Sequence, residues 1–70
     1  MRYLIVIEPT ATGFSAYSPD LPGCVATGAS RADVERNMRD AVELHLEGLR
    51  ASGQPVPPPS TSASYVEVAA

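Results

Sequence analysis

The sequence predicts a small α+β domain, in which a three-stranded antiparallel meander is followed by one helix and a short last strand. Three observations carry this prediction: an opening run of β-branched residues broken by closely spaced turn signals, one long stretch with helical periodicity, and an alternating segment after a proline-rich exit. A chain of 70 residues has room for one domain at most. We therefore expect a single domain over residues 1–70, with the helix packed on one face of the sheet.

The first strand is expected over about residues 2–8. Its Leu, Ile and Val residues leave neither face polar before Glu8, and a strand that is apolar on both faces is usually covered on both. We expect the helix on one face and another subunit on the other. Turn residues 9–13 then lead into a second strand over about 14–18.

The third strand is expected over about residues 24–28, after a loop that contains two turn signals. Pro19 sets the backbone for a first turn and Asp20 follows it. Pro22 and Gly23 suit a type II turn, because glycine supplies the positive φ that this turn requires. The loop therefore has a complete explanation in turn geometry, although loops also carry contact surfaces.

A helix is expected over about residues 31–52, with Ser30 as its N-cap. Apolar residues recur at helical spacing and form one stripe that packs on the sheet, with Leu44 and Leu46 at its two margins. Glu43 and Glu47 lie on the opposite, charged face. The residues assigned to the stripe are Val34, Met38, Ala41, Val42, His45, Leu46 and Leu49.

The proline-rich segment 54–60 continues neither a helix nor a central strand, so it should cross the sheet as a stiff extended connection. The alternating segment that follows predicts a last strand over about residues 64–68. The chain between the third and last strands is long enough for a crossover.

Composition excludes several classes of function. The net charge is −3, with five arginines and no lysine, so direct nucleic-acid binding by this chain alone is disfavoured and a basic partner is favoured. One histidine and one cysteine allow neither a disulfide nor an ordinary metal site. We expect no cofactor, no metal and, because the opening apolar run is too short, no membrane span. A reducing cytoplasm is the expected location.

The small size also predicts association. A chain this short buries too little surface to be very stable alone, and neither a disulfide nor a structural metal is expected to stabilise it. We therefore expect a homodimer or homotetramer.

No catalytic centre is expected. Two-metal phosphodiester cleavage needs converging carboxylates, and Glu8, Asp20 and Glu67 are scattered along the sequence. His45 is interpreted as a packed residue that donates to a backbone carbonyl, and Cys24 as a small buried residue. The chain is therefore interpreted as a binding protein and not an enzyme.

Several phrases together resemble the HicB antitoxin family, in the order in which that family carries them. They are the opening strand Tyr3–Glu8, Gly13–Tyr17, the phrase Asp20–Cys24, Thr27–Ser30, the helix segment Ala41–Leu49, and the exit from Gly53 to Pro59. The resemblance covers nearly the whole chain.

The resemblance implies an incomplete ribonuclease-H-like fold. It also implies binding to a HicA-like toxin, a small basic protein that cleaves messenger RNA through a histidine, so that the antitoxin occludes its site. Many members carry a C-terminal DNA-binding domain, for which a chain ending at Ala70 leaves no room. We therefore expect no DNA-binding domain, which puts autoregulation by this chain in doubt.

The candidate partner-binding residues are Asp20, Glu43 and Glu47, because exposed carboxylates steer the approach of a basic partner. An alternative interpretation also remains open. The chain would then be an orphan homo-oligomeric binding or scaffold module without a toxin.

Overall fold

The computed structural model describes residues 1–69 and contains three strands followed by one helix. The strands are β1 (Val6–Pro9), β2 (Phe14–Tyr17) and β3 (Val25–Gly28), and the helix is α1 (Arg31–Ala51). The strands form one antiparallel sheet in the order β1-β2-β3. The predicted meander and helix are therefore confirmed as an α+β fold with an open sheet.

The register of the sheet separates a covered face from an open one. Ala16 pairs with Ile7 on one side and with Ala26 on the other, and this row faces α1. On the opposite face Tyr17 and Val25 are paired neighbours, and both are exposed. Because side chains alternate along a strand, only one face of this sheet is covered within the chain.

The first strand begins later than the sequence predicts. Its expected span was about residues 2–8, but the ladder with β2 starts only at Val6. The reason lies in β2, which ends at Tyr17 because the chain turns at Ser18 and Pro19. Residues before Val6 therefore have no ladder partner in their own chain, and the Leu4 carbonyl instead accepts from the Ser18 hydroxyl at 3.0 Å.

The predicted last strand over residues 64–68 is not formed within the chain. No helix or strand is assigned between Gln54 and Ala69, and residues 64–68 are exposed. A strand exists only through hydrogen bonds to a neighbouring strand, and the proline-rich exit does not bring this segment beside the sheet. The prediction of a paired strand in this chain is therefore wrong.

The helix matches its prediction to within one residue. The Ser30 hydroxyl accepts from the Asp33 N–H at 3.1 Å, which makes Ser30 the expected N-cap. The helix ends at Ala51, one residue before the expected end, with Ser52 as its C-cap. The buried part of the apolar stripe is Val34, Met38 and Leu46.

The core lies between α1 and the sheet, but it is displaced towards one edge. The helix packs mainly across β3 and β2. Gly28 allows this close approach, because a Cβ there would lie 2.5 Å from the Val34 backbone nitrogen. The buried apolar residues are Ala16, Leu21, Cys24, Val34, Met38 and Leu46.

Candidate functional site

Asp20 ties residues 60 and 61 to the loop between β2 and β3. Its Oδ2 accepts from the Ser60 and Thr61 backbone N–H groups, both at 3.0 Å. Its Oδ1 accepts from the Thr61 and Ser60 hydroxyls at 2.6 and 3.2 Å. We call these three residues the Asp20 clasp. These bonds, led by the Thr61 hydroxyl, hold the pKa of the Asp20 carboxyl below its usual value.

The loop that carries Asp20 is itself firmly built. The Leu21 side chain is fully buried in the core. Its N–H donates to the Ser18 carbonyl at 3.1 Å, and its carbonyl accepts from the Cys24 N–H at 3.0 Å. Gly23 has the positive φ, +82°, that the sequence predicts for this turn. The loop therefore holds the carboxylate of Asp20 in place. This carboxylate already accepts four hydrogen bonds within the clasp.

A second contact holds the proline-rich exit against the residues before β1. The Tyr3 hydroxyl donates to the Pro57 carbonyl, and Val56 packs against the core. The proline-rich exit is thus fixed to the residues before β1, and the Asp20 clasp follows directly. Beyond Thr61 no hydrogen bond joins the described residues to the rest of the domain.

The two other candidates, Glu43 and Glu47, lie exposed on α1. Asp40 and Leu44 lie beside them at helical spacing on the same side of the helix, and both are exposed. The side chain of Leu44 is 72% exposed. We call these four residues the helix patch, an apolar centre flanked by three carboxylates. The patch is remote in sequence from Asp20, which belongs to the clasp.

Part of the helix patch can be predicted from the sequence. Leu44 lies at the margin of the predicted stripe, and the structure places it outside the core with the carboxylates. The signal was its position on the helical wheel, because a leucine on the charged side of an amphipathic helix has no core to enter. An exposed leucine flanked by carboxylates matches the apolar centre and polar rim of a protein interface.

A groove runs between β1 and α1. Because the helix lies over β3 and β2, the face of β1 that points towards it remains open, and the resulting groove has a volume of about 700 Å³. Its apolar lining comes from both elements and from the residues before β1. We call it the β1 groove; its apolar residues are Met1, Tyr3, Ile5, Ile7, Met38, Val42 and Leu46.

Charged side chains line the rim of the β1 groove. Arg31 and Glu35 pair across one helical turn at 3.1 Å, which leaves Arg2, Arg39 and Glu43 as further charges on the rim. The rim thus carries more positive than negative side chains, in contrast to the acidic helix patch. A basic partner is better matched to the patch than to the groove.

The residues considered for chemistry lie in ordinary surroundings. Cys24 is buried, and burial raises the pKa of its thiol, which disfavours the reactive thiolate. His45 is partly buried on the helix, but its ring makes no hydrogen bond among residues 1–69, so the expected donation to a carbonyl is wrong. In the same residues no three histidine, cysteine, aspartate or glutamate side chains group as metal ligands would.

These features define a class of protein: a small α+β module with one covered sheet face, an open groove and an acidic helix patch, suited to binding other chains. A family model described as the HicB-like antitoxin of bacterial toxin–antitoxin systems matches residues 3–69. The chain therefore belongs to the HicB-like antitoxin family.

Three relatives extend this assignment. A 14.9 kDa protein of Haemophilus phage HP1 is 29% identical over 66 residues, which are 94% of this chain and 50% of that protein. A UPF0150 protein of Helicobacter pylori is 44% identical over 46 residues, which are 66% of this chain and 64% of that protein. A UPF0150 protein of Synechocystis is 36% identical and covers 80% of this chain and 72% of its own length.

Two solved structures share the fold. One is a chain of a HicA3 and HicB3 toxin–antitoxin complex, with 40% identity and a TM-score of 0.74 over 84% of this chain and 70% of that chain. The other is the HicB3 antitoxin, with 38% identity and a TM-score of 0.72 over 86% of this chain and 44% of that chain. This chain thus spans about half of the phage relative and less than half of the second structure.

Within residues 1–69, the helix is not apolar over enough of its length to cross a bilayer.

Proposed function

We propose that this chain is a non-catalytic antitoxin that binds a HicA-like toxin and blocks its access to messenger RNA. The observation that carries the proposal is the 40% identity and TM-score of 0.74 with a chain of a HicA3 and HicB3 complex. The family assignment supports the same role. The encounter would take place in the cytoplasm, where the toxin's substrate is translated.

The helix patch is the surface that we propose for the toxin. Glu43 and Glu47 are exposed and lie four residues apart on one side of α1, with Leu44 between them. Carboxylates at the rim of an interface attract a basic partner during its approach, and a central apolar side chain supplies burial. Leu44 would therefore be the anchor, and the two glutamates would steer the toxin towards it.

Asp20 would act differently from the two glutamates. Its four accepted hydrogen bonds already come from Ser60 and Thr61, so it offers little to a toxin directly. We propose that it contributes to partner binding by fixing the course of the chain at Ser60 and Thr61.

Self-association is part of the proposal, as a homodimer or homotetramer. The exposed row of Tyr17 and Val25 and the open β1 groove leave apolar surface without cover in the single chain, and small domains commonly cover such surface by assembly.

The direct test is inhibition of RNA cleavage by a purified HicA-like toxin when this chain is added. We expect stoichiometric inhibition. Glu43→Lys with Glu47→Lys should slow association by roughly tenfold at low salt, and the difference should shrink as salt screens the charges. The control is Glu8→Lys with Glu67→Lys, which changes the net charge equally but lies outside the patch.

The outcomes separate the alternatives. If both double variants associate with the toxin equally slowly, the helix patch has no special role and only the net charge matters. If the unaltered chain leaves cleavage unchanged, the antitoxin proposal fails, and recovery of the chain only with itself from its native extract would favour an orphan homo-oligomeric module.

A further inference from the structure

Residues 62–69 carry apolar side chains that are almost wholly exposed in their own chain. Tyr65 is 100% exposed, Val66 82% and Val68 76%. Val66 and Val68 lie on one face of an extended segment, and Tyr65 and Glu67 on the other. The alternation that predicts a strand is therefore present in the sequence, but a neighbouring strand is lacking. We call this stretch the C-terminal segment.

The single chain is less compact than its size predicts. Its radius of gyration is 13.8 Å, against about 11 Å for a compact domain of 70 residues. Its accessible surface is 5289 Å², against about 4,200 Å² for a folded monomer of this mass. The excess of roughly 1,100 Å² is comparable with the roughly 800 Å² that each partner buries in a standard interface.

The β1 edge is the other region that lacks a strand partner. β1 pairs only with β2, and residues 2–5 precede the ladder although their sequence is typical of a strand. The opposite edge is less open, because the Asn37 side-chain amide donates to the Thr27 carbonyl of β3 at 2.8 Å. The β1 edge and the C-terminal segment are thus two stretches with strand-like sequences that have no strand partner in the single chain.

We propose that the C-terminal segment of one copy forms a fourth strand on the β1 edge of a second copy, reciprocally, in a two-fold dimer. Val66 and Val68 would enter the β1 groove against Ile5 and Ile7, while Glu67 stays in solvent. The proposal specifies the self-association proposed above. One symmetric dimer would fill both grooves and pair both segments.

Length and anchoring agree with this exchange. Eight extended residues span roughly 26 Å, which matches the roughly 23 Å of residues 3–9. The Asp20 clasp fixes Ser60 and Thr61, directly before the C-terminal segment, and residues 62–69 pair with no strand of their own chain. A second copy can therefore receive the segment while the clasp stays intact.

The first test is the mass in solution of the full chain by light scattering. We expect twice the chain mass of 7.3 kDa, or a multiple of that dimer. Val66→Asp with Val68→Asp should give a folded monomer, because these side chains are mostly exposed within their own chain. Glu67→Gln, on the other face of the segment, should leave the dimer intact. A monomeric unaltered chain, or a Val66 and Val68 variant that remains dimeric, overturns the proposal.

A second test identifies the strand partner. In a Cys24→Ala background, Val66→Cys is combined with Ile5→Cys or with Ile7→Cys, and the protein is oxidised. We expect disulfide-linked species of twice the chain mass for at least one pair. A product of single-chain mass would mean that the segment folds onto its own β1, and the absence of any disulfide would mean that it does not reach β1; either result overturns the exchange.

The experiments distinguish failure of the strand exchange from failure of the antitoxin proposal. If the Val66 and Val68 variant is monomeric and still inhibits a toxin, strand exchange stands and toxin binding does not need it. If the chain exchanges strands but inhibits no HicA-like toxin, the dimer stands and the antitoxin proposal falls.

Discussion

The two edges of the sheet are built in opposite ways. At β3 the helix lies close on the strand, and Gly28 admits the Val34 backbone where any side chain would collide. At β1 the helix stands back, which leaves a groove lined by Ile5, Ile7 and Leu46. One side of the domain is thus completed by its own helix, and the other is left open.

The contrast between the two sheet edges shows which contacts the single chain can supply. Because α1 follows β3 directly in the sequence, residues that are close in sequence determine how the two elements pack. Cover for β1 has to come from residues distant in sequence or from another chain, and the C-terminal segment carries apolar side chains that are almost wholly exposed. The open side is therefore the side on which we expect binding.

Substitution of Gly28 should destabilise the packing of α1 on β3 most strongly. Gly28→Ala places a Cβ 2.5 Å from the Val34 nitrogen and 2.8 Å from its Cα. Because these are backbone atoms, the helix has to shift, and we expect a loss of about 2 kcal/mol in the free energy of unfolding. Chemical denaturation at one fixed protein concentration measures it, since association would otherwise change the apparent stability.

The matched control is the same substitution at Gly48. A Cβ there meets nothing within 4 Å, and the residue lies exposed inside α1. Gly48→Ala should therefore stabilise the protein by about 0.5–1 kcal/mol through helix propensity. Two equal losses would show that tight packing of Gly28 against α1 is not the cause.

The smallest expected effect concerns the Asp20 clasp. Its hydrogen bonds lower the pKa of Asp20 below 3.8, so the clasp contributes stability above the unfolded pKa and loses it as the pH falls through the folded pKa. The amide chemical shifts of Ser60 and Thr61 should titrate with a midpoint below 3.8 and should not titrate in Asp20→Asn. Asp40→Asn, on the helix patch, should leave that titration unchanged; a midpoint above 3.8 would contradict the clasp.

Local signals in the sequence predicted most of the fold. Ser30 marked the start of the helix, and Pro22 with Gly23 marked a turn whose positive φ the structure contains. These features depend on residues within one turn of each other, so their sequence determines them. The family resemblance, carried by phrases along the whole chain, is likewise confirmed.

What the sequence could not determine depends on distant partners. Residues 2–5 and 64–68 have strand-like sequences, but strand formation requires a neighbour, and none lies beside them in the single chain. Asp20 was predicted as a contact residue; its bonds to Ser60 and Thr61 span about forty positions, and no local pattern indicates them. The roles of Glu43 and Glu47 stay predictions.

The most direct test of the central claim, that β1 is completed by another chain, is hydrogen exchange of backbone amides in the assembled protein. We predict that residues 3–8 are protected as well as β3, and that Val66→Asp with Val68→Asp speeds exchange there while β3 keeps its protection. Equal exchange of residues 3–8 in both proteins would contradict the claim, because the β1 edge would then have no partner to lose.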